Sequence, residues 1–252
     1  MDVATRRLEV RKGCSWICCF GDTHIGNKTY NATLANDVLQ LALSRKAYIL
    51  GMGDFLESAT RESPGASLLE QASPLNEQYL LMRSMLKPHA RYNGKRKILG
   101  LHWGNHEERL YKFADFDLMG LLSVDVECPC FPKTALQVLY VGDQVYRLFS
   151  WHGTTGARTI HGKFLALERE AKIVTADAYV MGHVHDIQIN RKPVRTYSDD
   201  GIICERKVMF GLTGHYIGWD GGYAEGSGYE PTNLGALWIR LDGNKHECMM
   251  EW

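Results

Sequence analysis

The sequence predicts an α/β fold arranged as a four-layer αββα sandwich, in which two mixed sheets face each other and helices cover their outer faces. Three observations support this prediction. Short apolar runs alternate with segments of helical spacing in the first half of the chain, and tight-turn signals follow in the second half. We therefore expect a parallel β-α-β half first and a more antiparallel half second.

The apolar runs are short enough to be buried strands rather than helices. Their lengths are four or five residues, and they lie at 16–20, 47–50, 97–101, 146–149 and 178–181. Short apolar runs that end near glycine are typical of buried strands. Because ligands of open α/β sheets bind beyond the carboxyl ends of the strands, the residues after these runs are expected to converge on one site.

Helices and hairpins are predicted between and after these strands. Apolar residues recur at helical spacing in three segments, 33–45, 75–86 and 163–174, which predicts helices on the outer faces of the sheets. Turn residues predict two hairpins, one turning at Gly142-Asp143 and one at Asp242-Gly243. The second half is therefore expected to be rich in strands.

Length and charge limit the size of the domain and the class of partner. A chain of 252 residues with 45% hydrophobic residues can bury one large core, so we expect a single domain over residues 1–252. Lysine plus arginine and aspartate plus glutamate both number 29, and this balance gives no sign of a long polyanion as partner. The basic run at 91–97 is interpreted as a solvated turn at the opposite end of the sheet from the expected site.

Cysteine usage and the N-terminal sequence favour the cytoplasm. The chain has seven cysteines, and Cys128-Pro129-Cys130 has neither redox nor zinc-ribbon spacing, so reduced thiols are expected. The sequence has no apolar stretch of bilayer-spanning length, and residues 1–7 lack the apolar core of a signal peptide. We expect a cytoplasmic protein with no membrane partner.

Each predicted strand leads into a short block that carries carboxylate, imidazole or amide groups. The blocks are Gly21-Asp22-Thr23-His24, Gly53-Asp54, Gly104-Asn105-His106-Glu107, His152-Gly153 and Gly182-His183-Val184-His185. Such donors suit Mn²⁺, Fe, Zn²⁺ or Co²⁺, and the absence of cysteine from the blocks argues against a thiolate zinc site. The pattern indicates a hydrolytic metal centre.

In this order, the blocks resemble the signature of the calcineurin-like metallophosphoesterase superfamily. The resemblance extends from Asp22 to His185, about three quarters of the chain. It implies the same αββα sandwich and two divalent metal ions, for which we expect Mn²⁺, with Fe, Zn²⁺, Co²⁺ or Ni²⁺ as alternatives. The implied ligands are Asp22, His24 and His185 for one ion, Asn105, His152 and His183 for the other, and Asp54 as a bridge between them.

The resemblance also implies a mechanism. Two cations lower the pKa of a bridging water, so that hydroxide can attack phosphorus near neutral pH. His106 is the expected general acid for the leaving group, because it adjoins the ligand Asn105 without coordinating the metals itself. Glu57, three positions after Asp54, is the expected partner that keeps His106 protonated, and Glu107 is a second possibility.

The substrate is predicted less directly. Superfamily protein phosphatases continue the second block with aspartate-arginine-glycine, whereas this chain has Glu57-Ser58-Ala59. We therefore expect a phosphodiesterase acting on a nucleotide, short nucleic acid or small organic phosphodiester. A phosphomonoesterase, acting on a protein or a nucleotide, is the alternative, and an inactive scaffold comes third. Residues expected to contact the substrate are Arg109, Arg158 and His215.

Overall fold

The computed structural model describes residues 1–60, 63, 71–197 and 200–252. Two six-stranded sheets lie face to face. The first has the order β14-β13-β2-β3-β6-β7, the second has the order β1-β8-β9-β10-β12-β11, and β4 and β5 form a separate hairpin. The strands are β1 Asp2–Leu8, β2 Cys14–Phe20, β3 Tyr48–Gly51, β4 Arg91–Tyr92, β5 Lys95–Arg96, β6 Ile98–His102, β7 Cys130–Phe131, β8 Ala135–Val141, β9 Gln144–Trp151, β10 Ala178–Met181, β11 Gln188–Tyr197, β12 Ile203–Leu212, β13 Leu237–Asp242 and β14 Cys248–Glu251.

Helices pack on the outer face of each sheet. In the described part of the chain they are α1 Ala32–Arg45, α2 Leu75–Leu86, α3 Asn105–Ala114, α4 Leu118–Asp125, α5 Ile160–Glu170 and the single turn α6 Tyr223–Gly226. Helices α1 to α4 cover the first sheet, and α5 covers the second. The predicted four-layer αββα sandwich is therefore confirmed.

The alternation of side chains along the central strands explains the layers. Ile17 and Cys19 of β2 join the core between the two sheets, whereas Cys18 and Phe20 join the core under the helices. Successive strand residues point to opposite faces, so a strand buried on both sides must be apolar throughout. This is why β2 appears in the sequence as a continuous apolar run without alternation.

The strands are not divided between the sheets as predicted, with a parallel first half of the chain and a more antiparallel second half. Strand β1, which was not predicted, pairs in parallel with β8 at the edge of the second sheet. The C-terminal hairpin of β13 and β14 returns to the first sheet, where β13 pairs antiparallel with β2. Both sheets are therefore mixed. The N-terminal strand belongs to the second sheet, and the C-terminal hairpin belongs to the first.

Most predicted elements occur close to their expected positions. Helices α1 and α2 match their predicted ranges, α5 begins three residues earlier than expected, and β8 and β9 are joined by the predicted two-residue turn. Helices α3 and α4 were not predicted. No helix in the described part of the chain combines the length and apolar character needed to cross a bilayer.

Candidate metal centre

The five predicted blocks meet at one end of the sandwich. In the first sheet, β2, β3 and β6 are parallel neighbours, and their carboxyl ends lead to Asp22, Asp54 and Asn105. In the second sheet, β9, β10 and β12 are also parallel neighbours, and β9 and β10 lead to His152 and His183. Carboxyl ends of parallel strands share one sheet edge, so the topology brings distant blocks together.

The first group of donors comprises Asp22, His24 and His185, whose ligand atoms all lie within 4.8 Å of one another. The distance from His185 Nε2 to Asp22 Oδ1 is 3.3 Å, and the Nε2 atoms of His24 and His185 are 3.1 Å apart. Two imidazole nitrogens this close need a proton between them or a shared cation. This is the first metal group that the motifs predict.

The second group comprises Asp54, His152 and His183, again with ligand atoms within 4.8 Å of one another. Asn105 Oδ1 lies 3.2 Å from His152 Nε2, which adds the amide oxygen to this group. Asp54 Oδ2 is 3.3 Å from His152 Nε2 and 3.9 Å from His24 Nε2. Asp54 therefore lies between the two groups, where a bridging carboxylate is expected.

The donor set fits two divalent cations. It consists of carboxylate, imidazole and amide groups without a thiolate, a combination that suits Mn²⁺, Fe, Zn²⁺ or Co²⁺. Asp22 and Asp54 are each at most 1% exposed, and buried carboxylates need positive partners. The structure brings all seven predicted ligands together, and their roles as ligands stay predictions.

The backbone at these residues is strained. Five of the seven residues have φ angles in the left-handed region, which side chains other than glycine rarely adopt. They are Asp22 (49°), His24 (46°), Asp54 (47°), His183 (68°) and His185 (51°). Strain of this kind persists only where the surrounding structure imposes it, and it is concentrated at functional sites.

Glu107 holds the backbone around Asp54. Its buried carboxylate accepts hydrogen bonds from the N–H groups of Asp54 (3.1 Å), Leu56 (3.1 Å) and Gly104 (3.0 Å). Burial and the nearby charge of Asp54 raise the pKa of Glu107 to about 7. Glu107, the second possible partner of His106, thus has its carboxylate hydrogen-bonded to three backbone N–H groups instead.

His106 and Glu57 are in contact, but through different atoms from those expected. His106 Nδ1 is 2.7 Å from the backbone oxygen of Glu57, whereas Glu57 Oε1 is 3.7 Å from the same nitrogen. A carbonyl oxygen can only accept, so Nδ1 of His106 carries a proton and donates it. The predicted carboxylate–imidazole pair is a carbonyl–imidazole pair in the structure, because the side chain of Glu57 turns towards His24.

The charges of the site are strongly coupled. Burial lowers the pKa of His152, but the adjacent Asp54 outweighs it and raises that pKa to about 10. Burial also opposes ionisation of Asp54, yet His152 and the other histidines hold the pKa of this carboxyl well below its usual range. Burial and the neighbouring His152 lower the pKa of His183 to about 4. Asp54 and His152, 3.3 Å apart, therefore favour each other's charged forms.

The three residues expected to contact the substrate have different environments. Arg109 lies one helical turn after His106 on α3, and its Nη1 donates to Ser63 Oγ at 2.6 Å. Arg158 is exposed and stacks on the ring of Tyr229, with 4.7 Å between the guanidinium carbon and the ring centroid. His215 is buried, stacks on His185 at 4.8 Å and contacts Thr232 Oγ1 at 3.0 Å. Substrate contact by these residues stays a prediction.

Asn27 is a further residue of the site that was not predicted. Its Nδ2 donates to Glu57 Oε2 at 3.1 Å, and its Oδ1 accepts from the backbone N–H of Thr29 at 3.0 Å. The local signal was present, because an asparagine two residues before a threonine in a glycine-containing loop is typical of an Asx turn. Nothing in the sequence linked that turn to Glu57, which is 30 residues away.

The fold of this chain is similar to that of several solved structures. No family model matches it, and no curated protein matches it. Solved structures with a similar fold include Vps29 from Cryptosporidium parvum, with 15% identity, a TM-score of 0.47 and coverage of 94% of this chain and 97% of that one. A predicted phosphoesterase from Streptococcus pneumoniae has 13% identity, a TM-score of 0.41 and coverage of 94% and 88%.

A third similar structure is Vps29 from Entamoeba histolytica, complexed with zinc, with 11% identity, a TM-score of 0.40 and coverage of 94% and 97%. At these identities and scores the similarity concerns the fold, and no activity is inferred from it.

Proposed function

We propose that this chain is a metal-dependent phosphoesterase with two divalent ions, most suitably Mn²⁺, and that it hydrolyses a phosphodiester in a nucleotide, short nucleic acid or small organic compound. The observation that carries the proposal is the convergence of seven donors into two adjacent groups, with Asp54 lying between them. Two bound divalent ions supply an activated water and positive charge for the phosphate oxygens.

The protein side chains supply the proton for the leaving group. Because His106 Nδ1–H donates to the carbonyl of Glu57, its Nε2 is the nitrogen that can carry a proton to the substrate. The backbone N–H of His106 also donates to Asp54 Oδ1 at 2.9 Å, which holds the main chain of His106 beside the proposed bridging ligand. His106 is therefore the proposed general acid.

Residue 58 supports a diester over a monoester. Superfamily protein phosphatases have an arginine at this point of the motif, which helps to bind a phosphomonoester. Here Ser58 is 2% exposed, and its backbone N–H donates to Gln78 Oε1 at 3.1 Å, so this position contributes no cation to the cleft. A phosphomonoesterase is the second candidate, because the carboxylate of Glu57 still lies 3.7 Å from His106 Nδ1.

Hydrolysis of bis(4-nitrophenyl) phosphate and of 4-nitrophenyl phosphate, each with added Mn²⁺, tests the proposal. We expect faster hydrolysis of the diester and loss of activity with chelator. Faster hydrolysis of the monoester would favour the second candidate. No reaction with Mn²⁺, Fe²⁺, Zn²⁺, Co²⁺ or Ni²⁺ would favour an inactive scaffold.

Variants separate metal binding from proton transfer. We expect His106→Ala to lower kcat by about 10²- to 10⁴-fold while metal content is preserved. Asp54→Asn is expected to lower both activity and metal content, because it removes the shared carboxylate. Equal loss of metal in the two variants would contradict the role proposed for His106.

A further inference from the structure

The carboxylate of Glu57 lies between two imidazoles and is closer to His24 than to His106. Its Oε2 is 3.4 Å from His24 Nδ1, and its Oε1 is 3.7 Å from His106 Nδ1. The side chain of Glu57 is only about 6% exposed, so both contacts are largely shielded from solvent. Burial works to raise the pKa of Glu57, but contacts with His24, His106 and Asn27 lower it to about 2.

Asn27 fixes the direction of this carboxylate. The Oδ1 atom of Asn27 accepts from both the backbone N–H of Thr29 at 3.0 Å and the Thr29 hydroxyl at 2.9 Å. An amide oxygen with two donors leaves the NH₂ group for the other side, where it faces Glu57 Oε2 at 3.1 Å. The orientation of Asn27 is therefore determined by its hydrogen bonds, and Glu57 is held from outside the metal groups.

Two backbone contacts join the loop of His24 to the loop of Glu57. The N–H of Glu57 donates to the carbonyl of Ile25 at 2.8 Å, and Ile25 and Leu56 form a parallel bridge. The distance between Glu57 and His24 is thus set by main-chain hydrogen bonds as well as by side chains.

The Nδ1 atoms of His106 and His24 differ in their hydrogen-bond partners. His106 Nδ1 already donates to the carbonyl of Glu57 at 2.7 Å. His24 Nδ1 is buried and makes no standard hydrogen bond among the described residues, while Glu57 Oε2 faces it at 3.4 Å. The opposite nitrogen of His24, Nε2, faces His185 and Asp54. A proton on Nδ1 would therefore leave Nε2 free as a ligand atom.

We propose that Glu57 is a positioning residue for His24: its carboxylate, held by Asn27, accepts the Nδ1 proton of His24 and turns Nε2 towards the metal, while only its backbone carbonyl serves His106. Histidine ligands commonly donate their second nitrogen to a carboxylate in this way, which fixes the tautomer and the ring. The inference rests on the proposed function insofar as His24 binds a metal ion.

Calorimetric titration of the Glu57→Ala and Glu57→Gln variants with Mn²⁺ tests this role. We expect the affinity for one of the two ions to fall by about 10- to 100-fold in Glu57→Ala, less in Glu57→Gln, and the other affinity to change little. Asn27→Ala should lower the affinity for the same ion to a smaller extent. His106→Ala is the matched control, and both affinities should stay as in the unmodified protein.

Imidazole ¹⁵N spectra of the metal-free protein provide a second measurement that does not depend on hydrolysis. We expect His24 to be protonated at Nδ1 in the unmodified protein, and Glu57→Ala to shift its signals, whereas His106 keeps its Nδ1–H. A change confined to His106, or unchanged metal affinities in a folded Glu57→Ala protein, would overturn the inference.

Failure of the inference is distinguishable from failure of the proposed function. If no phosphoester is hydrolysed but Glu57→Ala loses affinity for one ion, the activity is wrong and the role of Glu57 stands. If the diester is hydrolysed and Glu57→Ala keeps both ions but changes the pH profile of kcat, Glu57 acts through His106 and the inference is wrong.

Discussion

At the scale of single residues, the site depends on close approaches that only glycine permits. Gly53 has a φ of +89°, and a Cβ there would lie 2.7 Å from the backbone nitrogen of Gly104 and 2.8 Å from His152 Nδ1. A Cβ on Gly104 would overlap both the Oδ1 and the backbone nitrogen of Asp54. The two glycines therefore allow the β3 and β6 loops to contact each other directly at the shared carboxylate.

Gly104→Ala is expected to displace Asp54 and to weaken metal binding by roughly tenfold or more, because ligand geometry is sensitive to its supporting contacts. Calorimetric titration with Mn²⁺ measures the effect. Gly226→Ala is the control, since a Cβ there meets no atom within 4 Å. Unchanged affinity in Gly104→Ala, with the fold retained by circular dichroism, would show that the loop adjusts without moving Asp54.

At the scale of the element, helix α3 supplies residues to the site at its first turn and is followed at its C-terminus by a residue with a strained backbone. Its first residue is Asn105, and the carboxylate of Glu107 returns to the N–H of Gly104 at the start of the helix. The helix ends at Ala114, followed by Asp115 in the left-handed conformation with φ of 50°. A carboxylate at this point also faces the negative end of the helix dipole.

Asp115→Gly is expected to stabilise the protein by about 1 kcal/mol, because glycine removes both the left-handed strain and the unfavourable charge at the helix C-terminus. Urea unfolding at pH 7 measures the change. Asp115→Asn is the matched control: it removes the charge but keeps the side chain, so a smaller gain is expected. A loss of stability in Asp115→Gly would indicate that the side chain of Asp115 makes a favourable contact.

At the scale of the whole molecule, charged side chains join the two sheets at the end opposite the candidate metal centre. Glu9 follows β1 of the second sheet, and Lys97 precedes β6 of the first sheet. Lys97 Nζ lies 2.9 Å from Glu9 Oε2 and 4.0 Å from the ring centroid of Tyr48. The interpretation of the basic run as a solvated turn holds for the exposed Lys95 and Arg96 but is wrong for Lys97, which is 3% exposed.

This connection predicts a dependence of stability on pH. Hydrogen bonds from Lys97 and Lys95 lower the pKa of Glu9 from 4.5 to about 2. A carboxyl whose pKa is lowered by folding stabilises the protein above its unfolded pKa, and this stabilisation is lost as the pH falls from 4.5 towards 2. The ion pair is therefore complete at pH 7 and broken in strong acid.

Glu9→Gln should accordingly unfold at a lower temperature than the unmodified protein at pH 7. The difference should shrink through pH 4.5 and 3, because protonation removes the same charge from the unmodified protein. Thermal unfolding at the three pH values measures it. Glu251→Gln, which affects a pair with the more exposed Arg45, serves as the control and should have a smaller effect. A constant difference in unfolding temperature at all three pH values would contradict the lowered pKa of Glu9.

The sequence by itself determined the central strands and the polar blocks that follow them. Strands buried on both faces must be apolar, and residues that bind metal or carry protons must be polar. The five blocks, the helices α1 and α2 and the β8–β9 hairpin follow from such local patterns. Chain patterns also predicted the αββα layers, since alternating strands and helices have few ways to bury their apolar faces.

Tertiary structure decided what depends on contacts between distant residues. The parallel pairing of β1 with β8 spans about half the chain, and no local pattern encodes it. Asp22, His24 and Asp54 have a left-handed backbone in loops that contact one another, and the sequence pattern did not predict this conformation. The direction of the Glu57 carboxylate, towards His24 rather than His106, is fixed by Asn27 from another loop, so only the folded chain determines which histidine it serves.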